Sequence, residues 1–154
     1  MGGPTLQEFV NKVAVNTASS AGLASGPGLA AYTAGKHAVV AVSETLYHDL
    51  KLAGAKIGVL VLCPSFVRTR INEAERNRPA ELRRVAPDRS LDPLFAGVAQ
   101  QLQAAWAAAM PAEQVTDCVF AVIRANRFYV LSHPEVKGLV RSRLTAILQD
   151  RHPA

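Results

Sequence analysis

The chain has 154 residues, 49% of them hydrophobic and 19% charged, the balance of a folded globular protein rather than a disordered one. Its formal net charge is +5, but Arg68, Arg70, Arg76, Arg78, Arg83 and Arg84 are interleaved with Glu73, Glu75, Glu81 and Asp88, and aromatic residues are few. That pattern predicts a solvated surface and no nucleic-acid partner. No apolar run reaches the roughly 18 residues a membrane helix needs, and Met1-Gly2-Gly3-Pro4 lacks the basic-then-apolar order of a leader; a cytoplasmic protein without membrane contact is expected.

Residues 12–17, KVAVNT, form a short β-branched run that ends in the small residues Ala18-Ser19-Ser20-Ala21-Gly22. The pattern predicts a buried strand opening into a loop. Ser25-Gly26-Pro27-Gly28 continues that loop with turn chemistry. A long helix is predicted over 30–52, with Val39, Val42, Leu46 and Leu50 inward and Glu44, His48 and Lys51 on another face. Gly54 can take the left-handed conformation that ends such a helix.

Residues 56–63, KIGVLVLC, are almost continuously apolar and stop at Pro64. This is the pattern of a parallel strand buried on both faces. Residues 69–93 are polar, Arg-rich and Pro-containing, and a mobile, lid-like segment with short helical pieces is expected there. Three helices should follow. One spans 94–109, with Phe95, Val98, Leu102 and Trp106 on one side. The next starts at Pro111 and buries Val115, Val119, Val122 and Ile123. The last starts at Pro134 and carries Val136, Leu139, Val140, Leu144, Ile147 and Leu148 toward the core. Residues 127–131, RFYVL, read as a short strand between the last two. Alternating strands and helices imply an α/β fold with a parallel sheet and flanking helices, in a single domain over 1–154. Cys63 and Cys118 sit in apolar runs without metal-ligand spacing and are expected as buried thiols, with no metal.

Tyr32 and Lys36 stand four residues apart at the start of the long helix, on one face and one turn apart. An ammonium beside a phenol stabilises phenolate, and a phenol so placed can give a proton to a developing alkoxide or take one from an alcohol. Ser19, at a strand end, can reach the same substrate oxygen if the loop folds back. Tyr-x-x-x-Lys alone is weak evidence, since a surface tyrosine stacked on a lysine stem has the same spacing. The order matters more. Ser19, Tyr32 with Lys36, and Pro64-Ser65-Phe66-Val67-Arg68-Thr69 each fall at a strand's C-terminal end or the start of the next helix, where open α/β sheets bind ligands.

Asn16-Thr-Ala-Ser-Ser-Ala-Gly22, Gly28-Leu-Ala-Ala-Tyr-Thr-Ala-Gly-Lys-His37 and Leu62-Cys-Pro-Ser-Phe-Val-Arg-Thr69 together resemble the short-chain dehydrogenase/reductase family. The resemblance is close over 12–71 and looser through 94–150. It implies the catalytic half of a partial Rossmann-like, doubly wound sheet. It also implies that Tyr32 is the general acid/base, and that Lys36 holds the nicotinamide ribose. Ser19, the fourth residue of Asn-x-x-Ser-x-x-Gly, would bond the substrate oxygen. Pro64, Ser65, Phe66 and Val67 would line the nicotinamide, and Thr69 would bind its carboxamide or a phosphate. Ser65 stands where the family usually has glycine. Asn16 is expected to hold loop backbone groups, and His37, His48, His133 and His152 to be packed or surface residues.

The resemblance further implies an NAD- or NADP-dependent oxidoreductase acting on a small-molecule secondary alcohol or ketone, and a homo-oligomer formed through the long helix. Phe66, Leu91, Leu94 and Phe95 suggest a bulky, apolar substrate. No Gly-rich turn follows a strand before residue 12. The first nucleotide-binding half is therefore expected to be absent, the chain truncated, its cofactor binding incomplete and the isolated chain inactive. The alternative expectation is a non-catalytic remnant that serves as an interaction or oligomerisation module.

Overall fold

A computed structural model describes residues 12–82 and 93–153, apart from the side chains at 72, 74, 93–96 and 99. Its elements in chain order are β1 (Lys12–Thr17), α1 (Ala30–Leu52), β2 (Ile57–Leu62), β3 (Val67–Arg68), α2 (Pro93–Ala107), β4 (Met110–Pro111), α3 (Ala112–Arg124), β5 (Tyr129–Val130) and α4 (Val136–Leu148). Short 3-10 turns occupy Ser20–Gly22, Ile71–Asn77 and Ala80–Leu82. The chain divides into two compact units, Met1–Ser65 with Gln114–Ala154, and Phe66–Glu113.

In the first unit a parallel sheet runs in the order β1-β2-β5. Lys12 pairs with Ile57 and the register continues to Thr17 with Leu62, while Val61 and Leu62 pair with Tyr129 and Val130. The apolar run of β2 sits in the middle and buries Val59, Leu60 and Val61, each contributing on the order of 1.5–3 kcal/mol by leaving water. On one side Ala18, Val40, Val61 and Cys63 form a cluster; on the other, Leu60, Val122 and Val130 pack against Cys118, Val119 and Ile123. The predicted inward face of α3 is therefore the observed one. The strand expected to be buried at 12–17 is not: Val13 and Val15 are 41% and 42% exposed, because β1 pairs only with β2 among the described residues.

The long helix has the predicted bounds, and its end follows from backbone chemistry. Gly54 adopts φ 66, which lets its N–H reach the Lys51 carbonyl and the Ala55 N–H reach that of Leu50, satisfying two carbonyls of the last turn. Its inward face matches the expected one at Val39, Leu46 and Leu50, which are half-buried, and departs from it at Val42. Val40 and Ser43 are buried and Val42 is 64% exposed. The cause is a polar anchor: Asn16 Nδ2 donates to Ser43 Oγ at 2.9 Å, and Ser43 Oγ donates to the Val39 carbonyl at 2.7 Å. With Ser43 turned to the sheet, Val42 lies about 100° away around the helix. Asn16 thus grips a helix side chain and not the loop backbone.

α4 follows expectation at Val136 and departs from it further along. Val136 and Ala146 are its buried residues, whereas Leu139, Leu144, Ile147 and Leu148 are exposed. Apolar residues surround this helix on more than one stripe, and Ala146 is the buried residue of its second half. Val140 and Leu144 instead border a cavity of about 570 Å³ that also contacts Val40, Ala41, Leu131 and Tyr129.

In the second unit, β3 and β4 pair in parallel, and Met110 N–H donates to the Phe66 carbonyl at 3.0 Å. Two-residue strands carry no periodicity, so neither was expected from sequence. Phe66 meets Trp106 of α2 edge to face, 5.1 Å between ring centres. The segment expected as a lid contains the two 3-10 turns, with exposed ion pairs Arg70–Glu73 and Arg78–Glu75 that contribute little in water. Its remainder, 83–92 with Leu91, and the side chains of Leu94 and Phe95 lie outside the described residues.

Candidate active site

In the first unit Ser19, Pro64 and Ser65 lie at the C-terminal ends of strands, and Tyr32 and Lys36 lie in the first turns of α1. The β1 ladder runs on past Thr17: Ala18 N–H donates to the Leu62 carbonyl and Ser20 N–H to that of Pro64, both at 2.8 Å. Between them Ser19 is extended and buried, only 8% exposed. Its Oγ accepts from Ala21 N–H at 3.2 Å, capping the Ser20–Gly22 turn, and stands 3.5 Å from the Pro64 carbonyl. The hydroxyl is fixed by the turn it starts and by the end of β2.

Tyr32 lies in the first turn of α1 and Lys36 one turn on. Lys36 Nζ is 5.7 Å from the centre of the Tyr32 ring and donates to the Thr17 carbonyl at 3.1 Å. The amine therefore bridges the helix and the end of β1, with the phenol alongside and 43% exposed. Gly22 lets the turn after Ser19 meet this helix: a Cβ there would stand 2.6 Å from the Lys36 carbonyl oxygen and 3.0 Å from Val40 Cγ2.

Pro64 and Ser65, half-buried at the end of β2, belong to the same unit as Ser19, Tyr32 and Lys36. Phe66, Val67 and Thr69 belong to the second unit, where Thr69 Oγ1 accepts from Ile71 N–H at 3.4 Å.

One residue expected to be unremarkable holds a place at this edge. His133 follows β5, is buried, and accepts a hydrogen bond at Nδ1 from Ser65 N–H at 3.2 Å; Ser132 Oγ lies 2.9 Å from the same nitrogen. The sequence signal was positional: Ser132-His133 ends a strand just as Ser19 and Pro64 do. His37, by contrast, bonds the Thr33 carbonyl of its own helix at 3.0 Å.

Two further groups have shifted acidity. Burial pushes the Cys63 thiol up to about 11, with a backbone hydrogen bond from Ser19 opposing it, so this residue stays a neutral thiol in the core. Cys118, also expected to be buried, is half-buried. Burial, and then the Glu44 carboxylate that accepts its hydrogen bond, push the Tyr129 phenol up from 10.0 to about 12. A group raised in the folded state stabilises it fully below its unfolded value, so this contribution holds to about pH 10 and is lost as pH rises through about 12. Alkaline titration at 295 nm should show a step near 12 that Tyr129→Phe removes and Glu44→Gln moves downward. A step unchanged in both variants would contradict the assignment.

The pattern of the family described as short chain dehydrogenase matches residues 6–80. A CLA biosynthesis dehydrogenase/reductase of Lactiplantibacillus plantarum is 33% identical over 153 residues, 96% of this chain and 52% of the relative. A 1-deoxy-11-beta-hydroxypentalenate dehydrogenase of Streptomyces exfoliatus is 28% identical over 84% of this chain and 38% of its own length. The chain thus spans about half the length, or less, of these curated relatives. Among solved structures, a short chain dehydrogenase/reductase of Burkholderia phymatum in complex with NAD superposes with a TM-score of 0.84 at 41% identity, over 97% of this chain and 53% of that one. With the α/β architecture and parallel strands described above, these similarities identify the chain as a member of the short-chain dehydrogenase/reductase family.

Proposed function

We propose that the chain supplies the proton-transfer site of an NAD(P)-dependent oxidoreductase that interconverts a secondary alcohol and a ketone. The observation that carries this reading is the Lys36 amine, anchored on the Thr17 carbonyl and 5.7 Å from the ring of an accessible Tyr32, at the strand end that also holds Ser19. When bound, the nicotinamide donates or accepts hydride at the substrate carbon. Tyr32 gives its phenolic proton to the substrate oxygen during reduction and takes one back during oxidation. Ser19 bonds that oxygen and keeps it facing the phenol. Lys36 supplies positive charge beside Tyr32 and donors for ribose hydroxyls.

The donor set suits such a cofactor: an amine and a phenol at the C-terminal edge of a parallel sheet, where α/β folds bind ligands. Pro64 and Ser65, at the end of β2, would line the nicotinamide. NAD in the Burkholderia phymatum relative supports the choice of cofactor class. The direct test is turnover by the protein as it occurs in the cell. Reduction of NAD⁺ and of NADP⁺ at 340 nm, with 1-phenylethanol as the secondary alcohol, should proceed with one or both. A protein that turns over neither, and binds neither NADH nor NADPH by calorimetry, would not be this enzyme.

A homo-oligomeric contact through α1, which the family resemblance implies, would cover Val42, exposed on the outer face of that helix. Val42→Glu should shift the protein to a smaller species in gel filtration; an unchanged elution volume would remove α1 from the interface.

A further inference from the structure

We infer that His133 is a positioning residue of this site: it holds the peptide joining Pro64 and Ser65, and through that peptide the place of Ser19. The inference rests on the reading of Ser19 as the residue that meets the substrate oxygen.

The Pro64 carbonyl and the Ser65 N–H belong to one planar unit and point in opposite directions. The carbonyl end accepts from Ser20 N–H at 2.8 Å and faces Ser19 Oγ at 3.5 Å. The amide end donates to His133 Nδ1 at 3.2 Å. The plane is therefore held from both sides, and it cannot rotate without breaking bonds at both.

A backbone N–H can only donate, so His133 presents a lone pair at Nδ1 and carries its proton on Nε2. The ring is 8% exposed and its neighbour Ser132, whose hydroxyl lies 2.9 Å from Nδ1, is 6% exposed. A ring so enclosed has little freedom to swing away from Ser65. The result is one hydrogen-bonded row across the ends of all three strands of the sheet: Ser19 and Ser20 after β1, Pro64 and Ser65 after β2, Ser132 and His133 after β5. His133 closes that row. Without its acceptor the peptide can turn over, and the carbonyl that Ser19 faces turns with it.

A matched pair of variants tests this. In His133→Asn the side-chain oxygen can take the position of Nδ1 and accept from Ser65. In His133→Gln the amide reaches where Nε2 stands and leaves the Ser65 N–H without that acceptor. Both substitutions are polar and of moderate size.

Two readouts are needed. The first is hydrogen exchange of the Ser65 amide, relative to the β2 amides, in folded protein. The glutamine variant should speed it on the order of tenfold, and the asparagine variant should restore protection. The second is kcat and KM with 1-phenylethanol and the preferred nicotinamide. The glutamine variant should lower kcat on the order of tenfold, with the asparagine variant close to the parent. A Ser65 amide equally protected in all three proteins overturns the hold. Faster exchange with unchanged kcat overturns the positioning role. Failure of the functional reading looks different: Tyr32→Phe then keeps its turnover, while the exchange pattern at Ser65 still reports on His133.

Discussion

Tyr32→Phe is expected to lower kcat by about a thousandfold while leaving the melting temperature within a few degrees of the parent. The substitution removes one oxygen and keeps the ring. That ring is 43% exposed at the start of α1, so little packing is lost. The Lys36 amine keeps its bond to the Thr17 carbonyl, and nicotinamide binding, measured by calorimetry, should change little. In the proposed reaction, what disappears is the group that exchanges a proton with the substrate oxygen. General acid–base catalysis contributes about 10²–10⁴-fold, which sets the expected loss. Lys36→Ala should differ in kind, lowering kcat and weakening cofactor binding together, because the proposed reaction uses the amine for both. A phenylalanine variant that keeps a large fraction of parental turnover would remove Tyr32 from the chemistry.

Gly22→Ala should damage fold and activity together. The added Cβ would stand 2.6 Å from the Lys36 carbonyl oxygen and 3.0 Å from the carbon it belongs to. Those are backbone atoms inside a helix and cannot step aside as a side-chain tip would. The turn carrying Ser19 and the helix carrying Tyr32 and Lys36 must separate. Overpacking of this kind costs about 1–3 kcal/mol, equivalent to a fall of several degrees in melting temperature for a chain of this size. Displacement of reacting groups by about 1 Å can cost on the order of a hundredfold in rate. Gly35→Ala is the control, because a Cβ there meets nothing within 4 Å and alanine favours the same helix. Thermal melts and kcat should rank the control at or above the parent and Gly22→Ala well below it. Equal behaviour of the two variants would mean that the turn and helix are not in close contact.

The contrast between these two glycines shows what the sequence made legible. Signals confined to a few neighbouring residues came through: Gly54 ending α1, the apolar run of β2, the Val115–Val122 stripe of α3, and Tyr32 one turn from Lys36. Each follows from chain geometry over a turn or two. Partners distant in sequence did not come through. Asn16 and Ser43 are 27 residues apart, yet their bond decides which face of α1 turns inward and leaves Val42 outside. Ser65 and His133 are 68 apart, and the histidine's place after a strand does not by itself name its partner. α4 differs for another reason: its apolar residues offer several inward stripes, and beyond Val136 it is Ala146 that is buried while the leucines are exposed. The neighbouring strands β3 and β4 are too short to leave any pattern at all.

That short pair has its own consequence. Chain leaves the first unit after Ser65 and returns to it at Gln114, and the excursion is drawn together at its neck by β3, β4 and the bond from Met110 to Phe66. Beyond such a clasp, lengthening or shortening the intervening polypeptide changes closure entropy only logarithmically, by about 0.6 kcal/mol per doubling. Natural variation can thus change the length of the insert with little penalty to the scaffold that bears it.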